Sequence, residues 1–149
     1  MSEESKGTNF IIELPILEEE VSEIPKIIGK RILVIEDEEI IINMIKSILE
    51  EEEHKVDLAF NGEEALAKID TNLYDLIVCD IRMPYMDGKR FYNEIKNKRE
   101  GLGDRIIFIS GDTSDKTIGF INETGNKFLE KPFKIKEFKN AIYDSLLKL

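Results

Sequence analysis

Leu76-Ile77-Val78-Cys79-Asp80-Ile81-Arg82-Met83-Pro84-Tyr85-Met86-Asp87-Gly88 decides how the rest of the chain is read. An apolar run of strand length stops at a single carboxylate, and a proline and an Asp-Gly pair follow. Such a run reads as a buried parallel strand, and its end as the rim where such sheets carry their chemistry. Asp80 therefore stands where the backbone leaves the core and a carboxylate can meet solvent, metal or phosphate. Cys79, the single cysteine, points to the opposite face and reads as a buried, inert thiol. One cysteine also excludes a disulfide framework and a cysteine-based zinc cluster.

Working back from this strand, Lys55 to Phe60 alternates and predicts a half-buried strand. Asn61 then caps a short helix, with Glu64 completing a capping-box-like pair and Ala65, Leu66 and Ile69 facing inward. Before it, Ile32-Leu33-Val34-Ile35 predicts a buried strand that ends in Glu36-Asp37-Glu38-Glu39. Ile41, Met44, Ile45, Ile48 and Leu49 recur at helical spacing and carry a helix to about Glu52. Glu50 to Glu53 oppose that helix's dipole, and nothing in the sequence offsets them. His54, the only histidine, falls in the following turn and reads as a surface residue, which excludes a histidine metal cluster.

Working forward, Asp87-Gly88 opens a helix with Phe91 and Ile95 on one face, stopped by Gly101-Leu102-Gly103. Arg105 to Ser110 predicts a fourth buried strand, and Ser110-Gly111-Asp112-Thr113-Ser114 a polar turn in which Thr113 or Ser114 caps the next helix. That helix, about Asp115 to Glu123, is poorly made, since Gly119 in its middle costs roughly 1 kcal/mol relative to alanine. Gly125 ends it, and Asn126 to Glu130 is a short fifth strand. A last helix presents Ile135, Phe138, Ile142 and Leu146. Five strands alternating with five helices define an α/β domain with a mostly parallel sheet covered on both faces.

The chain of 149 residues is long enough for one domain, placed at 31–149, and a preceding arm of residues 1–30. A net charge of −10 disfavours nucleic acid and anionic membranes as direct partners. No run approaches the roughly 20 apolar residues of a membrane span, and the acidic N-terminus is unlike a signal peptide. A cytoplasmic protein is the expectation.

The strand ends gather the chemistry. Glu36 and Asp37 close the first strand, Asp80 the third and Ser110 the fourth, and Lys131 follows the fifth. In a doubly wound sheet these ends share one rim. Three carboxylates there repel one another, and a divalent cation relieves the repulsion; an all-oxygen donor set suits Mg²⁺ or Mn²⁺. A carboxylate among a hard cation, a lysine and a hydroxyl suits phosphoryl transfer, with Asp80 as nucleophile and Lys131 and Ser110 neutralising and binding phosphoryl oxygens. Taken singly each residue has a plainer role. An acid at a strand end often only caps the next helix, as Glu38 or Glu39 could here.

Val34-Ile35-Glu36-Asp37-Glu38-Glu39, Cys79-Asp80-Ile81-Arg82-Met83-Pro84-Tyr85-Met86-Asp87-Gly88, Ile109-Ser110-Gly111 and Glu130-Lys131-Pro132-Phe133 resemble the receiver domain of two-component response regulators, in order and with family-like spacing. Asn61-Gly62-Glu63-Glu64-Ala65-Leu66 is also typical of it. The resemblance implies a flavodoxin-like (βα)5 fold with strand order 2-1-3-4-5. It makes Asp80 the phosphoacceptor and Asp37 the direct Mg²⁺ ligand. Glu36 becomes the outer acid and Arg82 the residue whose backbone carbonyl binds the metal. Ser110 becomes the switch hydroxyl, Lys131 the conserved-type lysine and Phe128 the switch aromatic. Glu36 stands where aspartate is commoner, and Gly111 where alanine is common, which leaves room for a phosphoryl group.

The implied activity is Mg²⁺-dependent transfer of phosphoryl from a phosphohistidine to Asp80, with slow hydrolysis of the product. The face of the fourth helix, fifth strand and fifth helix is then the switching surface and the site of a receiver–receiver dimer. The expected partners are a histidine kinase or a histidine phosphotransfer protein. Residues 7–15, Gly7-Thr8-Asn9-Phe10-Ile11-Ile12-Glu13-Leu14-Pro15, resemble the last strand of a histidine-kinase ATP-binding domain. That resemblance makes the parent a hybrid histidine kinase (EC 2.7.13.3), of which this chain carries no catalytic core. The alternatives are a stand-alone single-domain response regulator, a pseudo-receiver that only binds partners, and an aspartyl-nucleophile phosphatase. The last wants an acid two residues after the nucleophile, where Arg82 stands. With no DNA-binding segment expected after Leu149, output is expected through protein contacts.

Overall fold

The computed structural model describes residues 25–149. The kinase-like stretch at residues 7–15 lies outside them. Five strands, β1 (Arg31–Ile35), β2 (Lys55–Ala59), β3 (Leu76–Asp80), β4 (Ile106–Ser110) and β5 (Lys127–Glu130), alternate with α1 (Glu39–Glu51), α2 (Gly62–Thr71), α3 (Gly88–Lys98), α4 (Asp115–Thr124) and α5 (Ile135–Leu147). All strand pairings are parallel, in the order β2-β1-β3-β4-β5. This is the doubly wound α/β fold that the pattern predicts.

Alternation along the strands splits the core in two. Leu33, Ile35, Ile77, Cys79 and Phe108 face one layer, where Ile69 of α2, Phe91 and Ile95 of α3, and Phe120 of α4 close over them. Ile32, Val34, Val78, Ile107 and Ile109 face the other, covered by Ile42, Ile45 and Leu49 of α1 and Phe138 and Ile142 of α5. β3 and β4 are buried at every position, which is why they read as unbroken apolar runs rather than alternating ones. Fully burying Phe91, Phe108 and Phe138 contributes about 1.5–3 kcal/mol each.

Glycine is needed where α3 meets β3. A Cβ on Gly88 would lie 2.8 Å from the Asp80 carbonyl oxygen and 2.8 Å from Ile81 Cα. Gly88 N–H donates to the Ile81 carbonyl at 2.8 Å, so the helix starts hard against the strand end. Asp87 caps it by accepting from the Arg90 amide.

Some expectations shift. The inward face of α1 runs through Ile42 rather than Met44, which is 40% exposed. Ile135 is exposed too, because it opens α5 at the rim before the helix reaches the sheet. The glutamates ending α1 have partners after all: Glu50 with Lys46, Glu52 with Lys139, and Glu53 with Lys26 at 2.8 Å. His54 is not a surface residue. It is 7% exposed, covered by the segment 25–30, whose Lys30 N–H donates to His54 Nδ1. Of the two candidate caps for α4 it is Ser114 that accepts from Thr117 N–H.

Candidate functional site

β1 and β3 are neighbours, and the chain leaves them toward opposite faces, α1 lying in one layer and α2 and α3 in the other. The crevice beyond their carboxyl ends is where doubly wound sheets bind ligands. Asp80, the last residue of β3, is nearly enclosed there. Its Oδ1 accepts from the Arg82 N–H at 3.3 Å, and its Oδ2 from Lys131 Nζ at 3.2 Å. Glu36 is wholly buried. Its Oε1 accepts from the amides of Asp37 and Glu38, so Glu36, not Glu38 or Glu39, serves the amides entering α1. Its Oε2 lies 2.7 Å from Lys131 Nζ. That oxygen nevertheless lacks a well-directed hydrogen bond, alone among the buried side-chain polar atoms of the described residues.

Carboxylate oxygens of Glu36, Asp37 and Asp80 lie within 4.8 Å of one another, and Asp37 is exposed at the mouth. Ser110 Oγ is buried and accepts from the Asp112 N–H at 3.0 Å. Its own hydroxyl proton stays free to donate. The Lys131 N–H donates to the Ser110 carbonyl at 2.8 Å, tying the lysine to β4 just before a cis Lys131-Pro132 peptide. Phe128 is half-buried against the layer that holds Phe108, its register partner in β4. Ser110 lies two residues beyond Phe108 and so on the same face. The pocket over Asp80 is open, about 600 Å³, and lined by Asp37, Glu38, Arg82, Gly111, Asp112 and Lys131.

The profile of the response regulator receiver domain family matches residues 32–143. The chain belongs to that family. It is 38% identical over 110 residues to the transcriptional regulatory protein DltR of Streptococcus agalactiae, covering 72% of this chain and 47% of that protein. It is 32% identical over 121 residues to the alkaline phosphatase synthesis transcriptional regulatory protein PhoP of Bacillus subtilis, covering 80% and 49%. The chain thus spans about half the length of the curated relatives it matches. Among solved structures, a CheY-like receiver domain protein from Methanospirillum hungatei superposes with a TM-score of 0.75 at 29% identity, covering 80% of this chain and 95% of that one. The response regulator TrrA of Thermotoga maritima, in complex with Mg²⁺-BeF, gives 0.70 at 33% identity, covering 78% and 98%.

In this receiver, burial sets the electrostatics. It pushes the Glu36 carboxyl up to about 8, against the opposing pull of Lys131 and with the added repulsion of Asp80. Burial also raises Asp80, though Glu36 and Lys131 pull it back. The Lys131 ammonium would be lowered by burial alone, but its bond to Glu36 and the field of Asp80 leave it raised. The acids outnumber the nearby lysine, and the carboxylates of Glu36, Asp37 and Asp80 lie close enough together to share a second positive charge. The donor set is all oxygen, as Mg²⁺ prefers. Cys79 takes no part, its thiol driven far up by burial.

One group at the rim of this pocket escaped the sequence reading. Asp112 sits in what reads only as a polar turn, yet it accepts from Arg82 Nη1 at 2.9 Å, Thr117 Oγ1 at 2.8 Å and the Ser114 amide at 2.9 Å. These donors, the Ser114 amide foremost, hold its carboxyl well below the usual range. Asp112 thereby joins the Asp80 loop, Ser110 and the first turn of α4. The only signal in the sequence was an aspartate two residues before a serine, an Asx-turn pattern. Gly111 lines the pocket, and a Cβ there would meet Lys131 Cβ at 4.0 Å, ordinary contact.

Proposed function

We propose that this receiver accepts a phosphoryl group on Asp80, and the observation that carries the reading is the Asp80–Lys131–Glu36 cluster open to solvent only through its mouth. An Asp80 carboxylate oxygen attacks phosphorus, the P–N bond of a phosphohistidine breaks, and the imidazole leaves with the electron pair. Glu36, Asp37, Asp80 and the Arg82 backbone carbonyl would hold Mg²⁺, which supplies charge neutralisation at the phosphoryl oxygens. Lys131 Nζ, 3.2 Å from Asp80 Oδ2, is placed to pair with one phosphoryl oxygen. The Ser110 hydroxyl is placed to donate to another once β4 and its loop shift.

That shift is the proposed signal. Ser110 moving toward the phosphoryl group draws on Asp112 and hence on Thr117 of α4, and Phe128 fills the space vacated. α4 is suited to move because Gly119 lowers its intrinsic stability; nothing lies within 4 Å of a Cβ at that position, so packing does not require the glycine. The face of α4, β5 and α5 would then meet a partner or a second receiver. The phosphodonor is a histidine kinase or phosphotransfer protein. The relatives named above are transcriptional regulators, which supports a response regulator as the parent over a hybrid kinase. No helix among the described residues is long and apolar enough to cross a membrane.

Asp80→Asn should abolish Mg²⁺-dependent labelling by a small acyl phosphate, read by intact mass, while leaving the fold intact by circular dichroism. Labelling that persists at full extent in the folded variant would overturn the assignment.

A further inference from the structure

Two loops meet at the mouth of the Asp80 pocket. The β3–α3 loop supplies Arg82, whose side chain is 70% exposed, and the β4–α4 loop supplies Asp112, whose side chain is 19% exposed. Arg82 Nη1 donates to Asp112 Oδ2 at 2.9 Å. The two ends of this pair are held unequally. Asp112 Oδ2 also accepts from Thr117 Oγ1, its Oδ1 accepts from the Ser114 amide, and its own N–H donates to Ser110 Oγ. The carboxylate is thus fixed by its own loop and the first turn of α4, with or without the arginine. The guanidinium has no other acidic partner among the described residues, and its exposed stem leaves it room to swing. Both residues line the pocket over Asp80 and also a cleft of about 240 Å³ between α3 and α4, so the pair stands on the boundary of the two.

We propose that the Arg82 guanidinium is a phosphoryl-binding group that Asp112 occupies in the resting protein. Once Asp80 carries the phosphoryl group, the guanidinium exchanges the Asp112 carboxylate for a phosphoryl oxygen. This rests on Asp80 as the phosphoacceptor, and it gives a role to a side chain that the phosphoacceptor reading uses only through its backbone. The Arg82 N–H already donates to Asp80 Oδ1, so the side chain springs from backbone fixed beside the reacting carboxylate. The exchange follows from charge. An exposed guanidinium on a single carboxylate is weakly held. A phosphoryl group brings about two negative charges and three acceptor oxygens, and the arginine fork meets such a group with two parallel N–H donors. Lys131 and Arg82 are the two cations that line the pocket, and Lys131 is already shared by Glu36 and Asp80. The consequence reaches α4. Arg82–Asp112 joins the Asp80 loop to the loop that caps α4. Its release leaves Asp112 tied to Ser110, Ser114 and Thr117, which then move as one piece.

The test is affinity for beryllofluoride, a phosphoryl mimic, measured by calorimetry with excess Mg²⁺ on the full chain and on variants shown to be folded by circular dichroism. Arg82→Ala removes a binding group and should weaken binding by roughly three- to tenfold. Asp112→Asn removes the competing charge and should tighten it by roughly two- to fivefold. The double variant should bind no more tightly than Arg82→Ala, because no guanidinium is left to release. A bridge that served only the fold would shift both single variants in the same direction. That result, or an Asp112→Asn gain that survives in the double variant, overturns the proposal. Binding by the parent that Asp80→Asn abolishes keeps the phosphoacceptor reading intact even then, whereas binding that Asp80→Asn leaves unchanged overturns both.

Discussion

The two ends of the sheet carry charge in opposite ways. At the amino ends of the strands, Asp57 accepts from Arg31 Nη2 at 3.1 Å and from Tyr74 Oη at 2.6 Å. Arg31 also reaches Asn72 and lies over the Tyr74 ring, while its amide donates to Asp75. Each of these groups has a partner of opposite charge or a hydrogen-bond partner. At the carboxyl ends, Glu36 and Asp80 share one lysine, and Glu36 Oε2 meets its ammonium at 2.7 Å without a well-directed hydrogen bond. Two buried acids on one lysine leave negative charge uncompensated, which costs stability. The difference separates a cluster of paired charges from one in which acids outnumber their base.

The largest expected effect is on the pH dependence of stability without metal. Glu36 is raised from 4.5 to about 8 by burial. Between those values the folded protein holds a proton that the unfolded chain has released, so stability falls as pH rises from 4.5 to 8. Urea midpoints in chelator should be higher at the acid end of that window, and Glu36→Gln should flatten the slope. A slope that Glu36→Gln leaves unchanged would break the contrast between the two ends.

Next comes Lys131→Met, which strips the lysine that contacts both Glu36 and Asp80. Breaking a buried ion pair from one side costs about 3 kcal/mol, and a drop of that order in the urea-derived stability near pH 8 is expected. Added Mg²⁺ should recover part of it by supplying the missing charge. A variant as stable as the parent would show the cluster to be solvated rather than strained.

A pair of matched changes sharpens the comparison further. Asp80→Asn removes one of the competing acids and leaves Glu36 paired with Lys131, so it should stabilise the metal-free protein by about 1 kcal/mol. Asp57→Asn, at the other end, weakens two charge-assisted hydrogen bonds at a half-exposed pair and should destabilise by about 1 kcal/mol. Melting temperatures of the two variants should move in opposite directions; movement in the same direction would erase the distinction drawn here.

The site end was legible in the sequence because each of its residues terminates or follows a strand, a position that hydrophobic patterning marks directly. Glu36, Asp80 and Ser110 needed only the topology to bring them together. The structural end was not legible. Asp57 meets Tyr74 and Arg31 only through the register of β1 on β2, where Leu33 faces Asp57, and register leaves no trace in one-dimensional spacing. Asp112 was missed for a related reason, since its partners Arg82 and Thr117 come from two other elements. His54 gave no apolar signal between Glu53 and Lys55, and its burial depends on a strap without periodicity.

That histidine supplies the smallest expected effect and the one of opposite sign. Burial lowers the His54 pKa below its ordinary 6.5, and the charge of Glu52 only partly offsets it. The Lys30 N–H donates to Nδ1, which requires the neutral ring. The folded protein therefore binds this proton less tightly than the unfolded chain does. Its contribution is fully present above pH 6.5 and is lost as pH falls from there toward the lowered value. Acid thus weakens the amino-terminal end of the sheet over a range where it strengthens the carboxyl end. In a Glu36→Gln background, with the larger slope removed, stability should fall on acidification from pH 7 to 5, and His54→Gln should remove most of that fall. The glutamine keeps an acceptor for the Lys30 amide, so a loss of stability at pH 7 with an unchanged slope would mean that packing, not protonation, is what the histidine provides.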